Sequence, residues 1–330
     1  MTGICVAGTG KYAPPLTVDN EGFAGFVETS DEWITTRTGI KKRHFSEGEP
    51  TWLMGAKAAR AAFADAGIDG SEIDLVLGTT VTPDFFFPSL SALVAKELGL
   101  SHVAAIDINC ACAGFVTAVD MARRYLATGD VNTVLIVSAE NLSKLVDFTE
   151  RGTCVLFGDG AGAAVIRRGD GVFASYLSSQ PSGAAGVFAR GIPAGNVFSK
   201  SVNPQEHDGF PDASAHFTTM DGREVYKFTM RAIPEAVAKA CERAGIAPAE
   251  LDWIVPHQAN LRIVETAASK MGLPLEKFYM NIEEYGNTSS ASIPICLAEM
   301  REKGLLTRGQ KICVVGFGAG LVYAGAVFEW

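Results

Sequence analysis

The sequence has no excess of positive charge: 28 Lys and Arg stand against 37 Asp and Glu, a formal net charge of −9 at pH 7. Bulk electrostatic attraction to nucleic acid or to an anionic membrane surface is thereby excluded, and any anionic ligand must be met by a local basic patch. Low-complexity segments are absent. Met1-Thr2-Gly3-Ile4-Cys5-Val6-Ala7-Gly8 has neither the basic start nor the long apolar stretch of a signal peptide, so export is not expected. Long uncharged runs are nearly missing too. The tail from Ile312 to Phe328 is one, but Gly316, Gly318, Gly320 and Gly325 interrupt it, which predicts a strand-turn-strand and not a membrane span. The seven cysteines (5, 110, 112, 154, 241, 296 and 313) are scattered and mostly lie in apolar runs, which fits reduced thiols in the cytoplasm and no disulfide framework. No further Cys or His cluster accompanies Cys110-Ala111-Cys112 at metal-ligand spacing, so no zinc is expected.

What is present is a globular composition, 48% apolar and 20% charged, in a chain of 330 residues, long enough for two domains. An internal repeat appears when the chain is slid against itself by 178 positions. Ala66-Gly67-Ile68 falls on Ala244-Gly245-Ile246, Glu72 to Leu77 falls on Glu250 to Val255, and Val134-Leu135-Ile136-Val137 falls on Ile312-Cys313-Val314-Val315. Each copy reads as an Ala-rich helix ended by Gly, a short apolar strand, a second helix and another buried strand. That alternation predicts α/β crossover units with mostly parallel sheets. The expected division is residues 1–174 for the first half, 175–219 for a Ser-, Gly-, Ala- and Pro-rich loop connection, and 220–330 for the second half. Ligands of such sheets gather at equivalent strand ends.

Ala104 to Phe115 passes from an apolar strand into a helix, with Cys112 at the helix start. Unpaired backbone N–H groups and the helix dipole there predict an acidic thiol able to attack a thioester. Two further strand ends carry polar groups, in Trp253 to Asn260 and in Tyr285 to Ser292. Under the repeat, His257 is equivalent to Thr79, Asn287 to Asn109 and Ser290 to Cys112. A lone His after a strand is usually a core residue and a lone Asn before Thr-Ser-Ser is usually a helix cap. Convergence of both with Cys112 on one pseudo-symmetric centre reverses that weighting. Gly158-Asp159-Gly160-Ala161-Gly162 precedes an apolar strand and no helix, so it is no dinucleotide site.

Asn109 to Phe115, Pro256 to Ile263 and Tyr285 to Ser289 resemble the three catalytic motifs of the β-ketoacyl-acyl carrier protein synthase III family. Thr29 to Ile34, Arg37 to Ile40, Arg151 to Thr153 and Leu156 to Ala164 extend the resemblance over nearly the whole chain. The resemblance implies a thiolase fold: two βαβαβαββ halves in a layered α-β-α-β-α homodimer, with no cofactor or metal. It implies decarboxylative condensation of an acyl-coenzyme A primer with malonyl-acyl carrier protein, giving β-ketoacyl-acyl carrier protein, coenzyme A and CO₂ and initiating fatty acid synthesis. Cys112, His257 and Asn287 would be catalytic, and the backbone N–H groups of Cys112 and Ala319 would form the oxyanion hole. Trp33, Arg37 and Arg151 would bind coenzyme A, with the adenine between Trp33 and Arg151. Phe87, Leu156 and Phe157 would shape the acyl pocket, Phe87 reaching across the dimer. Arg262, Lys227 and Lys270 would meet the acyl carrier protein. Two departures from the family pattern stand out: Ala319 in place of a middle glycine, and Tyr323 in place of a Trp. The alternative is a priming ketosynthase or acyltransferase of polyketide or specialised metabolism. A non-catalytic acyl carrier- or coenzyme A-binding scaffold is a third reading.

Overall fold

The structure, a computed structural model, describes residues 3–192, 210 and 216–330. The first half contains β1 (Gly3–Tyr12), β2 (Leu16–Asp19), α1 (Asp31–Thr38), β3 (Lys42–Phe45), α2 (Thr51–Ala66), β4 (Leu75–Thr79), α3 (Leu90–Glu97), β5 (Ala104–Ile108), α4 (Gly114–Thr128), β6 (Thr133–Glu140), α5 (Arg151–Cys154) and β7 (Gly160–Gly169). After it come β8 (Phe173–Ser179), β9 (Val187–Phe188), β10 (Thr219–Met220), α6 (Gly222–Ala244), β11 (Trp253–Pro256), α7 (Leu261–Met271), α8 (Ile282–Tyr285), α9 (Ser292–Glu302), β12 (Lys311–Gly318) and β13 (Val322–Glu329). Among the described residues no helix is long and apolar enough to cross a membrane.

Two sheets carry the fold, one in the order β1-β7-β6-β4-β5 and one in the order β11-β12-β13-β8. The side-chain period of two sends alternate residues of each strand to opposite faces. Leu75, Leu77, Val134 and Ile136 pack inward on the paired helices α4 and α9, and Val76, Leu135 and Val137 pack outward on α2 and α3. In the second sheet Val255, Ile312 and Val314 meet the same helix pair, and Cys313, Val315 and Val327 meet α6 and α7. The result is the layered α-β-α-β-α thiolase fold, with α4 and α9 as the middle layer. Their N-termini therefore lie at the seam between the halves.

The repeat is visible in the backbone. β6 falls end to end on β12, and α4 starts where α9 starts, after one-turn helical segments at 111–113 and 289–291. Ala111 and Ser289, equivalent under the 178 offset, both take positive φ, 45° and 49°. Gly67 and Gly245 both end their helices in the left-handed region, φ 69° and 72°. The offset fails at β5. Its counterpart, residues 282–286, forms α8 and the glycine corner at Gly286, and the second sheet keeps only an isolated bridge from Ile254 to Phe278 at that edge.

The expected loop connection needs correction at its start. Ser175 to Ser179 continue β8, which pairs antiparallel with β13, so a boundary after residue 174 would cut a strand of the second sheet. Ser- and Gly-rich composition hid this strand, because the β13 partner that completes its hydrogen bonds is far away in the chain. Residues 193–209 and 211–215 of the expected connection lie outside the described residues.

Candidate active site

The turns before α4 and α9, the ends of β11 and β12, and α1, α6 and α7 enclose one cavity of about 1900 Å³. Cys112, His257, Asn287 and Ala319 all line it, as do Trp33, Arg37, Leu156, Phe157, Lys227 and Arg262. Three of the candidate residues come from turns at the ends of sheets or helices in different halves, which is why distant sequence positions share one space.

Cys112 lies in the 111–113 turn and is open only in part. Its Sγ donates to Ser289 Oγ at 3.4 Å. The back of this turn is closed by β12: a Cβ on Gly316 would come within 2.6 Å of Ala113 Cα, and one on Gly318 within 2.9 Å of Cys112 N and 3.2 Å of its sulfur. This enclosure works against the acidity expected of a thiol at a helix start. Burial pushes the thiol up to about 12; the negative charge on a nearby Glu140 would add to the rise, and the Ser289 hydroxyl opposes it. Desolvation and the helix start thus act on the thiol in opposite senses.

His257 follows β11 and is almost fully buried. Its N–H donates to Val315 O at 2.7 Å, and the ring meets Phe317 edge-on with centroids 5.1 Å apart. Burial lowers the imidazole pKa to about 3, so the ring is neutral at physiological pH. Ser292 Oγ stands 2.8 Å from Nδ1 and 2.9 Å from Ser289 O. Its one proton can serve either acceptor: given to Ser289 O it leaves the ring proton on Nδ1, and turned to Nδ1 it leaves that proton on Nε2, the tautomer that donates from Nε2.

Asn287 is fixed on both sides by backbone: its N–H donates to Leu156 O at 2.9 Å, and Gly158 N–H donates to its carbonyl at 3.0 Å. Its Oδ1 accepts from Ser289 N at 2.9 Å. That bond commits the side-chain oxygen and leaves the amide Nδ2 hydrogens as donors. The equivalent Asn109 makes the same bond to Ala111 N, at 3.3 Å.

The glycine run at the end of β12 explains one departure. Gly318 needs space beside Cys112, and Gly320 has φ 111°. Ala319 is not among the residues of positive φ, so its side chain is tolerated between them. The other departure, Tyr323, is buried. Its hydroxyl donates to Glu235 Oε1 at 3.0 Å, beside the Tyr176 hydroxyl at 2.9 Å from the same oxygen.

Ser30 caps α1 by accepting from Trp33 N at 3.1 Å, and Arg37 follows one turn later. The guanidiniums of Arg37 and Arg151 each lie 4.6 Å from the centroid of Trp33. A base inserted between Trp33 and Arg151 must therefore displace the Arg151 group, since that spacing is filled by direct contact. Arg262 and Lys227 are exposed at the cavity wall, Lys227 pairing with Glu224 at 2.7 Å. Lys270 is apart from them and donates to Met230 O at 3.3 Å, joining α7 to α6. Phe87 lies outside this chain's cavity lining and is 87% exposed.

Residues 106–181 match the family described as 3-oxoacyl-[acyl-carrier-protein (ACP)] synthase III, and residues 241–330 match the family described as its C terminal. The β-ketoacyl-[acyl-carrier-protein] synthase III of Clostridium acetobutylicum is 44% identical over all of this chain and 99% of that protein. The chain belongs to the β-ketoacyl-[acyl-carrier-protein] synthase III family. Among solved structures, 3-oxoacyl-[acyl-carrier-protein] synthase III from Aquifex aeolicus superposes with a TM-score of 0.89 at 37% identity, covering 100% of both chains. The priming β-ketosynthase of the R1128 polyketide pathway gives the same TM-score at 34% identity, covering 99% of this chain and 96% of that one.

Sequence reasoning passed over Ser289, Ser292, Glu140 and Gly318 in this synthase III fold. Ser289 and Ser292 flank Ser290, the repeat partner of Cys112, and that offset was the available signal. Glu140 ends an apolar strand as its one acid, and only the sheet order shows what it faces.

Proposed function

We propose that this chain is a β-ketoacyl-acyl carrier protein synthase III that condenses an acyl group carried on Cys112 with malonyl-acyl carrier protein. The observation that carries this reading is the meeting of Cys112, neutral His257 and the free Asn287 amide in one cavity. The Cys112 sulfur attacks the acyl-coenzyme A thioester, with backbone N–H groups of Cys112 and Ala319 as donors to the oxyanion. The proton lost by the thiol is returned to the departing coenzyme A sulfur, so this half-reaction is proton-neutral. Malonyl-acyl carrier protein then loses CO₂, and charge develops on its thioester oxygen. His257 Nε2–H and Asn287 Nδ2 donate to that enolate where the charge appears. The enolate carbon attacks acyl-Cys112, and the released thiolate regains a proton from water.

Trp33, Arg37 and Arg151 serve coenzyme A in this reading, and Leu156 and Phe157 bound the acyl chain. Phe85, Phe86 and Phe87 are all exposed large hydrophobics, which supports a homodimer in which Phe87 reaches the partner's acyl pocket. Free cysteines throughout the chain suit a cytoplasmic enzyme, and no metal or cofactor enters any step. The clostridial relatives at 44%, 42% and 40% identity all carry the synthase III name, which favours fatty acid initiation over a polyketide pathway.

The test is intact-protein mass after incubation with acyl-coenzyme A, followed by CO₂ release from malonyl-acyl carrier protein. An acyl adduct on Cys112 that Cys112→Ser abolishes is expected. His257→Ala and Asn287→Ala should keep acylation but lose roughly 10²- to 10³-fold in decarboxylation, the usual loss for one oxyanion donor. An adduct on Cys110, or equal loss of both half-reactions, would contradict this assignment.

A further inference from the structure

Glu140, the last residue of β6, is fully buried and belongs to none of the motifs above. Its Oε2 accepts from Val81 N at 3.0 Å, Thr82 Oγ1 at 2.9 Å and Thr80 Oγ1 at 3.2 Å. Its Oε1 lies 2.6 Å from Ser290 Oγ, and Ser290 Oγ is 3.4 Å from Thr79 O. A neutral carboxyl satisfies every one of these groups. The Ser290 hydroxyl donates to Oε1 at 2.6 Å, or turns to Thr79 O when Oε1 carries a proton and donates to it, and Oε2 takes the three remaining donors in both cases. An ionised carboxyl would be a buried charge held only by hydroxyls and one amide.

This cluster reaches the sulfur by two routes. Ser290 adjoins Ser289, the residue that accepts from Cys112 Sγ. Gly114, at the start of the helix that Cys112 leads into, packs so closely that a Cβ there would meet Thr79 Cβ at 3.0 Å and Ser290 Cβ at 3.3 Å. Ser290 is thus clamped between the Glu140 carboxyl and the turn that carries the nucleophile. We propose that Glu140, as a neutral carboxyl, is the positioning residue that holds the Ser289-Ser290 turn against Cys112 for acylation. The inference rests on Cys112 as the acyl-accepting residue. The titratable group facing Glu140 is Cys112 itself, and Thr80, Val81 and Thr82 after β4 and the serines before α9 complete its surroundings. Burial raises the carboxyl above the usual carboxylate range, and the hydrogen bonds from Ser290, Val81 and Thr82 oppose that rise.

Glu140→Gln reproduces the neutral pattern, its amide donating to Ser290 and its oxygen accepting at the Oε2 side. Its rate of acyl transfer to Cys112, read by intact mass, should stay within about threefold of wild type, and the pH profile of Cys112 alkylation by iodoacetamide should superimpose on that of wild type between about pH 6 and 9. Glu140→Ala, folded by circular dichroism, should acylate about tenfold or more slowly, the size expected when buried partners are orphaned. The proposal is overturned if folded Glu140→Gln is as slow as Glu140→Ala, if its alkylation profile moves to lower pH, or if Glu140→Ala acylates at the wild-type rate. Should Glu140→Ala not fold, Ser290→Ala removes the bonded hydroxyl alone and must show the slowed acylation; a wild-type rate there overturns the proposal equally. Absence of any acyl adduct on wild-type Cys112 would instead remove the functional reading itself.

Discussion

At the scale of single residues, the shape of the site depends on what is missing from two side chains. Gly318 has extended backbone, so its requirement is space beside Cys112 and not a special φ. Gly318→Ala should therefore destabilise the fold by roughly 1–3 kcal/mol, as overpacking does, and displace the Cys112 turn, with acylation falling sharply. Ala319→Gly should change acylation little and cost about 0.4–1 kcal/mol through a looser unfolded chain. Thermal unfolding and acyl-enzyme mass together check both, and an active, stable Gly318→Ala protein would refute the close-approach argument. The convergence of Cys112, His257 and Asn287 on one cavity was legible in the sequence because each sits at a strand end or turn marked by the repeat. The closing of the Cys112 turn was not, since Gly316 and Gly318 arrive from another strand about two hundred positions later.

At the scale of elements, α7 follows His257 closely in the chain and sets Arg262 at the cavity wall. Asn260 caps it by accepting from Arg262 N at 2.9 Å, and its Nδ2 donates to Arg37 O at 3.0 Å, tying α7 to α1. Arg262 is thereby held in the first turn at the cavity wall. Arg262→Glu should raise KM for malonyl-acyl carrier protein strongly, and more so at low salt, while acylation by a small acyl-coenzyme A changes little; at about 0.1 M the Debye length of about 10 Å still lets a rim charge act on an acidic carrier. Equal weakening of both substrates in steady-state kinetics would place the docking face elsewhere. Helix periodicity put Arg262 and Lys270 on one side of α7, but it carried no information about α6, whose Met230 carbonyl takes up Lys270. Similarly, the 178 offset located β6 and β12 because both are buried apolar strands, and it failed at β5 and α8, where Glu283, Glu284 and Gly286 break the apolar pattern.

At the scale of the whole molecule, the buried groups of the seam link folding to pH. His257 titrates at about 3 in the fold and near 6.5 when unfolded, so the unfolded chain binds the extra proton between those values. Its contribution is present above about pH 6.5 and is lost as pH falls toward 3. His257→Gln, which cannot titrate, should show a melting temperature that falls less steeply than wild type over that acid range; parallel melting curves across pH would contradict a neutral buried ring. Both halves supply the seam, Cys112 and Glu140 from the first and His257, Asn287, Ser289 and Gly318 from the second, so the duplication was readable from the repeat and the layered order from the family resemblance, while the mutual contacts were readable from neither. The enclosure of Cys112 also decides from which side it can be reached. Gly316 and Gly318 close the back of its turn, so the sulfur opens toward the cavity that Trp33, Arg37 and Arg262 also line. A small electrophile and a long acyl thioester must then share one mouth, and a ligand that fills the cavity should slow alkylation of Cys112.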